Sequence, residues 1–347
     1  MERHARRNLA TEIDRRRFDR AQRFTAPVGN RGDAAGYRMH ARWLKFLCGR
    51  PAVQRDVCAD DTAFLRQVAG ALRLSAEEER KFVRLGLLGR VWAEWCKQDL
   101  YVRPPALVAE LTRVEGWDSF EGAMRDGSGV ILLPLHGQFS RLFQRVLLHR
   151  GYEGMELGLT QKVEQTGVQT PAAKRLERAR QMHAAKHLLK KGGLVFNLPD
   201  ALQNLGNSRT VEFFGRQRRL AIGFAELAIE TSAQLVPVAY RFTQRGFFAM
   251  ELRPPLQRLG PERSREERVE SLVDQYADFL RDEWRRHPWN IHWNHLRHYL
   301  ELPQCAEGDG NGVRAKEQNG AGAHAERYRA EHAAADAHSE PAGARQG

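Results

Sequence analysis

The chain has 347 residues, 42% of them hydrophobic, enough to bury a full core as one large domain or two modest ones. It contains no run of about 18 uncharged apolar residues, and its four cysteines fall at no metal-ligand spacing. A spanning helix, a disulfide framework and a zinc-cysteine site are therefore excluded, while a formal charge of +12 favours an anionic partner.

The first two dozen residues hold eight arginines and four acids, unlike a secretory signal with its apolar core. Residues 1–34 read as a basic, flexible or partly helical arm. Over 35–116 the pattern is helical. Ser75 and Glu78 form a capping box, and Phe82, Leu85, Gly89 and Trp92 then share one face, which needs a partner surface on the main domain or a membrane.

From 117 to 300 strands and helices alternate, which predicts an α/β fold with a mostly parallel mixed sheet, flanking helices and right-handed crossovers. Val130 to Leu135 is an apolar strand, followed by a helix whose stripe is Phe139, Leu142, Phe143, Val146 and Leu147. Tyr152 to Leu159 reads as a strand. A basic helix opens at Thr170 and Pro171, and Leu194 to Leu198 is a further strand closing on Pro199 and Asp200. After Thr210 to Phe214 the spacing predicts a helix over Leu220 to Glu230 and a strand over Leu235 to Phe242. Gln244 to Gly246 reads as a tight connection into an antiparallel edge strand, Phe247 to Leu252. An amphipathic helix runs from Arg265 to Arg286. Residues 301–347 have almost no large apolar side chains and read as a disordered tail.

In an open parallel sheet the functional crevice lies beyond the carboxyl ends of the strands. His136 and Asp200 each follow a predicted strand, so parallel strands bring a base and its orienting acid to one edge. A helix starting just after His136 adds the positive end of its dipole, which predicts a ring biased toward neutrality and suited to general-base work.

The blocks GVILLPLHG (129–137), LLKKGGLVFNLPD (188–200), VEFFG (211–215) with IGFAELA (222–228), TSAQLVP (231–237) and WNIHW (289–293) come in a telling order. Together they resemble the late lauroyl and myristoyl acyltransferases of lipid A biosynthesis, a branch of the lysophospholipid acyltransferase superfamily. The resemblance implies acyl transfer from an acyl carrier protein or coenzyme A thioester to a hydroxyl, or an amine, of a lipid-like or carrier-bound acceptor, with no cofactor and no metal. It makes His136 the general base and matches Asp200 to an acidic position. Phe213, Phe214 and Gly215 then shape the acyl or acceptor cleft, with Arg216, Arg218 and Arg219 near a substrate phosphate.

The sequence departs from this family twice. Five positions after the histidine the family has a carboxylate that fixes the tautomer, whereas this chain has Arg141, which accepts no hydrogen bond. Arg141 thus enters the catalytic set as an anomaly, with Asp200 the expected replacement and Glu153 or Glu164 the alternatives. Failing a replacement, the protein is a lapsed acyltransferase that binds acyl chains or an acyl carrier protein. The family's members also usually begin with an apolar membrane helix, and the arginine-rich arm in its place implies a cytoplasmic relative with at most peripheral contact to an anionic membrane.

Other motifs lead elsewhere less directly. His287, His292, His295 and His298 lack an accompanying acidic or cysteine ligand pattern for a metal. Asp126 to Gly129 is glycine-rich but precedes its strand, unlike a dinucleotide-binding turn. No aromatic sheet pattern or finger spacing is present, which leaves a basic nucleic-acid-binding protein as a minor alternative.

Overall fold

In a computed structural model of the chain the described residues are 15–16, 19, 33–98, 100–101, 103–157, 171–200, 207–243 and 248–302. Most of the basic arm and nearly all of the 301–347 tail lie outside them, as do Gln244 to Gly246 and Glu164.

From residue 33 the described chain runs through the helices α1 (Ala34–Cys48), α2 (Ala59–Ala71), α3 (Ala76–Gln98) and α4 (Pro105–Glu110), with a π turn at Val53–Val57. The capping box forms as expected, the Ser75 N–H donating to Glu78 Oε2 at 2.8 Å and the Glu78 N–H to Ser75 Oγ at 3.4 Å. Phe82, Leu85 and Trp92 are all buried. Their partner surface is protein. Trp92 packs 5.7 Å from Phe242, the Lys81 ammonium sits 5.1 Å over Trp289, and Phe64 lies 4.9 Å from Trp293. Aromatic contacts of this kind add about 0.5–1.5 kcal/mol beyond area burial, so the helices brace the C-terminal tryptophan block.

The sheet follows with β1 (Thr112–Glu115), α5 (Trp117–Arg125), β2 (Val130–Pro134), α6 (Leu142–His149), β3 (Gly154–Leu157), α7 (Pro171–Lys190) and β4 (Leu194–Asn197). A hairpin, β5 (Ser208–Phe213) and β6 (Arg216–Ala221), precedes α8 (Gly223–Thr231), β7 (Gln234–Phe242), β8 (Phe248–Leu252), α9 (Arg265–Arg286), a 3-10 turn (Pro288–Asn290) and α10 (Trp293–Leu300). The six-stranded sheet has the order β1-β8-β7-β2-β4-β3, and every neighbouring pair is parallel except β7 with β8. The α/β fold with a mostly parallel mixed sheet is as expected.

β2 lies inside the sheet with all five residues buried, which is why its sequence runs apolar without alternation. The chain enters it through Gly129 at φ 74°, where a Cβ would stand 2.5 Å from the Leu189 carbonyl oxygen. At its far end the Tyr276 hydroxyl of α9 donates to the Pro134 carbonyl at 3.1 Å.

Two elements differ from expectation. β8 pairs antiparallel with β7 as predicted, but it is no edge: β1 lies outside it. That strand, with the short and polar sequence TRVE, falls inside the stretch read as helical. Residues 216–221 form a strand, although a helix was expected to start at Leu220. The β5 and β6 strands form a separate two-stranded sheet joined through Phe214 and Gly215, at φ 52° and 76°. Two positive values in a two-residue loop match the twist of a type I′ hairpin, a turn usually announced by Asn-Gly.

Candidate active site

The register Leu132↔Phe196 sets β2 beside β4 in parallel, so both strands run out at the same edge of the sheet. His136 follows β2 and Asp200 follows β4, and there the two side chains meet. Asp200 Oδ1 lies 2.5 Å from His136 Nδ1, and Asp200 Oδ2 accepts the His136 backbone N–H at 2.9 Å. One buried carboxylate, 3% exposed, thus fixes both the ring and its peptide. With Nδ1 donating to Asp200, Nε2 is left with its lone pair.

The turn carrying His136 is pinned from the far end of the chain. Gly137 forms an antiparallel bridge with Ile291, the Gln138 N–H donates to the Asn290 carbonyl at 2.7 Å, and the His292 N–H donates to the His136 carbonyl at 3.0 Å. Asn290 is in turn held by its side-chain oxygen, which accepts the Phe242 N–H at 2.6 Å. The tryptophan block is therefore the back wall of the site.

Burial alone pushes the His136 ring toward neutrality, but the Asp200 charge and hydrogen bond outweigh it and raise its pKa above 6.5. Arg141 pulls the other way and Glu156 adds a little. Burial likewise acts to raise the Asp200 pKa, and its interactions with His136 bring it below the ordinary carboxylate value. The ring expected to be biased toward neutrality is thus biased toward imidazolium. α6 begins only at Leu142, so its N-terminus is too remote to set the balance.

His295 lies flat on His136, ring centroids 4.2 Å apart and planes 17° from parallel. Tyr299 extends the stack at 6.2 Å and donates its hydroxyl to the Asp200 carbonyl at 3.2 Å. Burial drives the His295 pKa down to about 3, with Asp200 opposing only in part. No well-formed hydrogen bond from the described residues reaches either of its ring nitrogens. His136, Asp200 and His295 bring potential ligand atoms within 4.8 Å of one another. The two rings are nearly parallel, however, so their in-plane lone pairs do not converge on one ion, and both Asp200 oxygens are already engaged. The geometry suits proton transfer better than a cation cage.

Arg141 is exposed and influences His136 through its charge. Glu153, weighed as an alternative carboxylate, is exposed as well, and the carboxylate in contact with His136 is that of Asp200. Phe213 is fully buried, 5.0 Å from Trp284 and 5.3 Å from Tyr299, so it supports the stack instead of lining an open cleft. Phe214 and Gly215 make the hairpin turn. Arg216 and Arg218 reach Glu301 at 2.6 and 2.8 Å, and Arg219 donates to Ser208 Oγ at 2.7 Å. The three guanidiniums expected beside a phosphate are thus already engaged with protein groups. An open pocket of about 660 Å³ between α4, α5 and α6, lined by Trp117, Val146 and Tyr152, contains neither member of the pair.

Sequence reasoning weighed His295 only as a metal ligand. Its place on the His136 ring is visible only once α10 folds back over the end of β2.

A sequence model of a family described as bacterial lipid A biosynthesis acyltransferase matches residues 73–299, well over half the chain. No curated protein matches it.

Proposed function

The chain belongs to the bacterial lipid A biosynthesis acyltransferase family, and from that premise we propose that it moves a fatty acyl group from a carrier-protein or coenzyme A thioester to a hydroxyl of a lipid-like acceptor. His136 is the general base. Its Nε2 takes the acceptor's hydroxyl proton as the oxygen attacks the thioester carbonyl. Collapse of the tetrahedral adduct breaks the C–S bond, and the thiolate leaves as a thiol with the proton from the imidazolium. Asp200 holds the tautomer and balances the imidazolium charge throughout.

The observation that carries this reading is the 2.5 Å contact between His136 and Asp200. It supplies the carboxylate that Arg141 removes from the family's usual position. Both donors are anionic, which fits a formal charge of +12, and a lipid-like acceptor brings the protein to a membrane surface.

The test is turnover. Purified protein, given acyl-carrier or acyl-coenzyme A thioesters and lipid hydroxyl acceptors, is expected to release free thiol, and His136→Ala is expected to abolish the release. Acyl binding without thiol release by the wild-type chain would contradict the proposal and identify a binding protein on an acyltransferase fold.

A further inference from the structure

The two long faces of α1 are both apolar, yet only one is covered. Tyr37, Ala41, Leu44 and Cys48 recur at helical spacing and are buried. On the opposite side Met39, Trp43 and Phe46 recur at the same spacing and stand 57%, 43% and 55% exposed. Only six large hydrophobic side chains are exposed among the described residues, and three of them form this one ridge. Trp43 and Phe46 stack on each other with ring centroids 5.7 Å apart. An isolated exposed leucine needs no explanation, but a contiguous Met-Trp-Phe ridge does.

The charge around the ridge says what covers it. The helix AAGYRMHARWLKFLC contains no acidic residue. Arg42 is exposed beside Met39 and Trp43, Lys45 is half-buried, and the Arg50 guanidinium lies 5.9 Å from the Phe46 ring centroid. Burial first, then the Arg84 charge, holds Lys45 below its ordinary pKa. A second copy of the same face would set like charge against like. Aromatic rings flanked by arginine and lysine are suited to the headgroup level of a bilayer, where the rings enter the interface and the cations meet lipid phosphates.

We propose that the outward face of α1, Met39, Trp43 and Phe46 with Arg42, Lys45 and Arg50, docks the protein on an anionic lipid bilayer. The inference deepens the reading of a lipid-directed enzyme by naming the surface that meets the lipid. Docking is peripheral, since no helix among the described residues is long and apolar enough to cross a membrane. One amphipathic contact supported by several basic side chains gives reversible attachment that weakens as salt screens it.

The experiment is flotation of the full chain with two kinds of vesicle, phosphatidylcholine alone and phosphatidylcholine with about a third phosphatidylglycerol, without donor or acceptor. The expected result is recovery with the anionic vesicles only, falling about tenfold or more in the combined Met39→Ser, Trp43→Ser and Phe46→Ser variant. That variant is expected to melt near the wild type and to release thiol from a donor given a water-soluble acceptor at an unchanged rate. Undiminished flotation of the variant would overturn the proposal, because the basic arm would then carry binding. Equal recovery with neutral vesicles would overturn it too, as would a wild-type dimer that the variant converts to a monomer. Retention of acyl carrier protein that the variant loses, with no flotation, would assign the ridge to a protein partner instead. Because vesicles are scored without catalysis, failure here leaves the acyltransferase reading standing, and failure of turnover leaves this one.

Discussion

His136 and Asp200 are the residues whose meeting was most legible, because each ends an apolar run of strand length and the parallel-sheet rule sends such ends to one edge. What could not be read was the sign of the ring's bias. That depended on whether a helix terminus or a carboxylate stood closer, and the carboxylate at 2.5 Å decides it. His295 was hidden for a similar reason: its function as a stacked neighbour depends on a contact between residues 159 positions apart. Its pH dependence is open to test. A histidine with a folded pKa of about 3 takes up a proton on unfolding at any pH between there and about 6.5. Its contribution to stability is therefore full above about 6.5 and declines as the pH falls, by about 2 kcal/mol at pH 5. His295→Phe keeps a ring on His136 but removes the titration. Urea unfolding at pH 7 and pH 5 is expected to show a smaller loss in the variant than in the wild type. A residual loss from His287, whose pKa burial lowers to about 4, is expected in both.

At the scale of elements, the 3-10 turn Pro288–Asn290 does more than end α9. Asn290 accepts one backbone N–H with its side chain and another with its carbonyl, so it ties β7 to the loop of the His136–Asp200 pair. Asn290→Ala leaves the buried Phe242 N–H without its acceptor, a loss of about 1–3 kcal/mol. Thermal melting is expected to drop by several degrees, and turnover to fall further than stability alone explains, since the His136 turn loses its rear support. An unchanged melting temperature would show that the loop is held by other contacts. The long helices were readable from their caps and stripes: the capping box at Ser75 and the span Arg265–Arg286 both appear as expected. The hairpin of β5 and β6 was not. Its strand RQRRLA carries four polar residues before its first large apolar one, and its turn is Phe-Gly where glycine follows a ring instead of an asparagine. Phe214 tolerates a positive φ while packed between Phe213 and Trp284, a tertiary support that no local pattern announces.

At the scale of the whole molecule, a site of three side chains draws on residues 136, 200 and 295, brought together by β2, β4 and a helix that closes over them. The N-terminal helices do not touch the reaction in this arrangement. They pack on the tryptophan block behind it, and the proposal gives the outer face of α1 to a bilayer. Fold class was readable because alternation of strand and helix is a global pattern, while the edge strand β1 was lost because four polar-leaning residues carry no period. The central claim is that Asp200 has taken over the orienting role that Arg141 vacated. The most direct measurement is the pH profile of kcat/KM for thiol release in the wild type and in Asp200→Asn. The wild type is expected to gain activity with rising pH through a limb above the ordinary histidine value, because the base form appears only as the raised pKa is passed. Asp200→Asn is expected to lose about 10²- to 10⁴-fold in kcat, with its limb moved to lower pH as burial and Arg141 prevail. A variant that turns over at the wild-type rate with its limb unmoved would contradict the account.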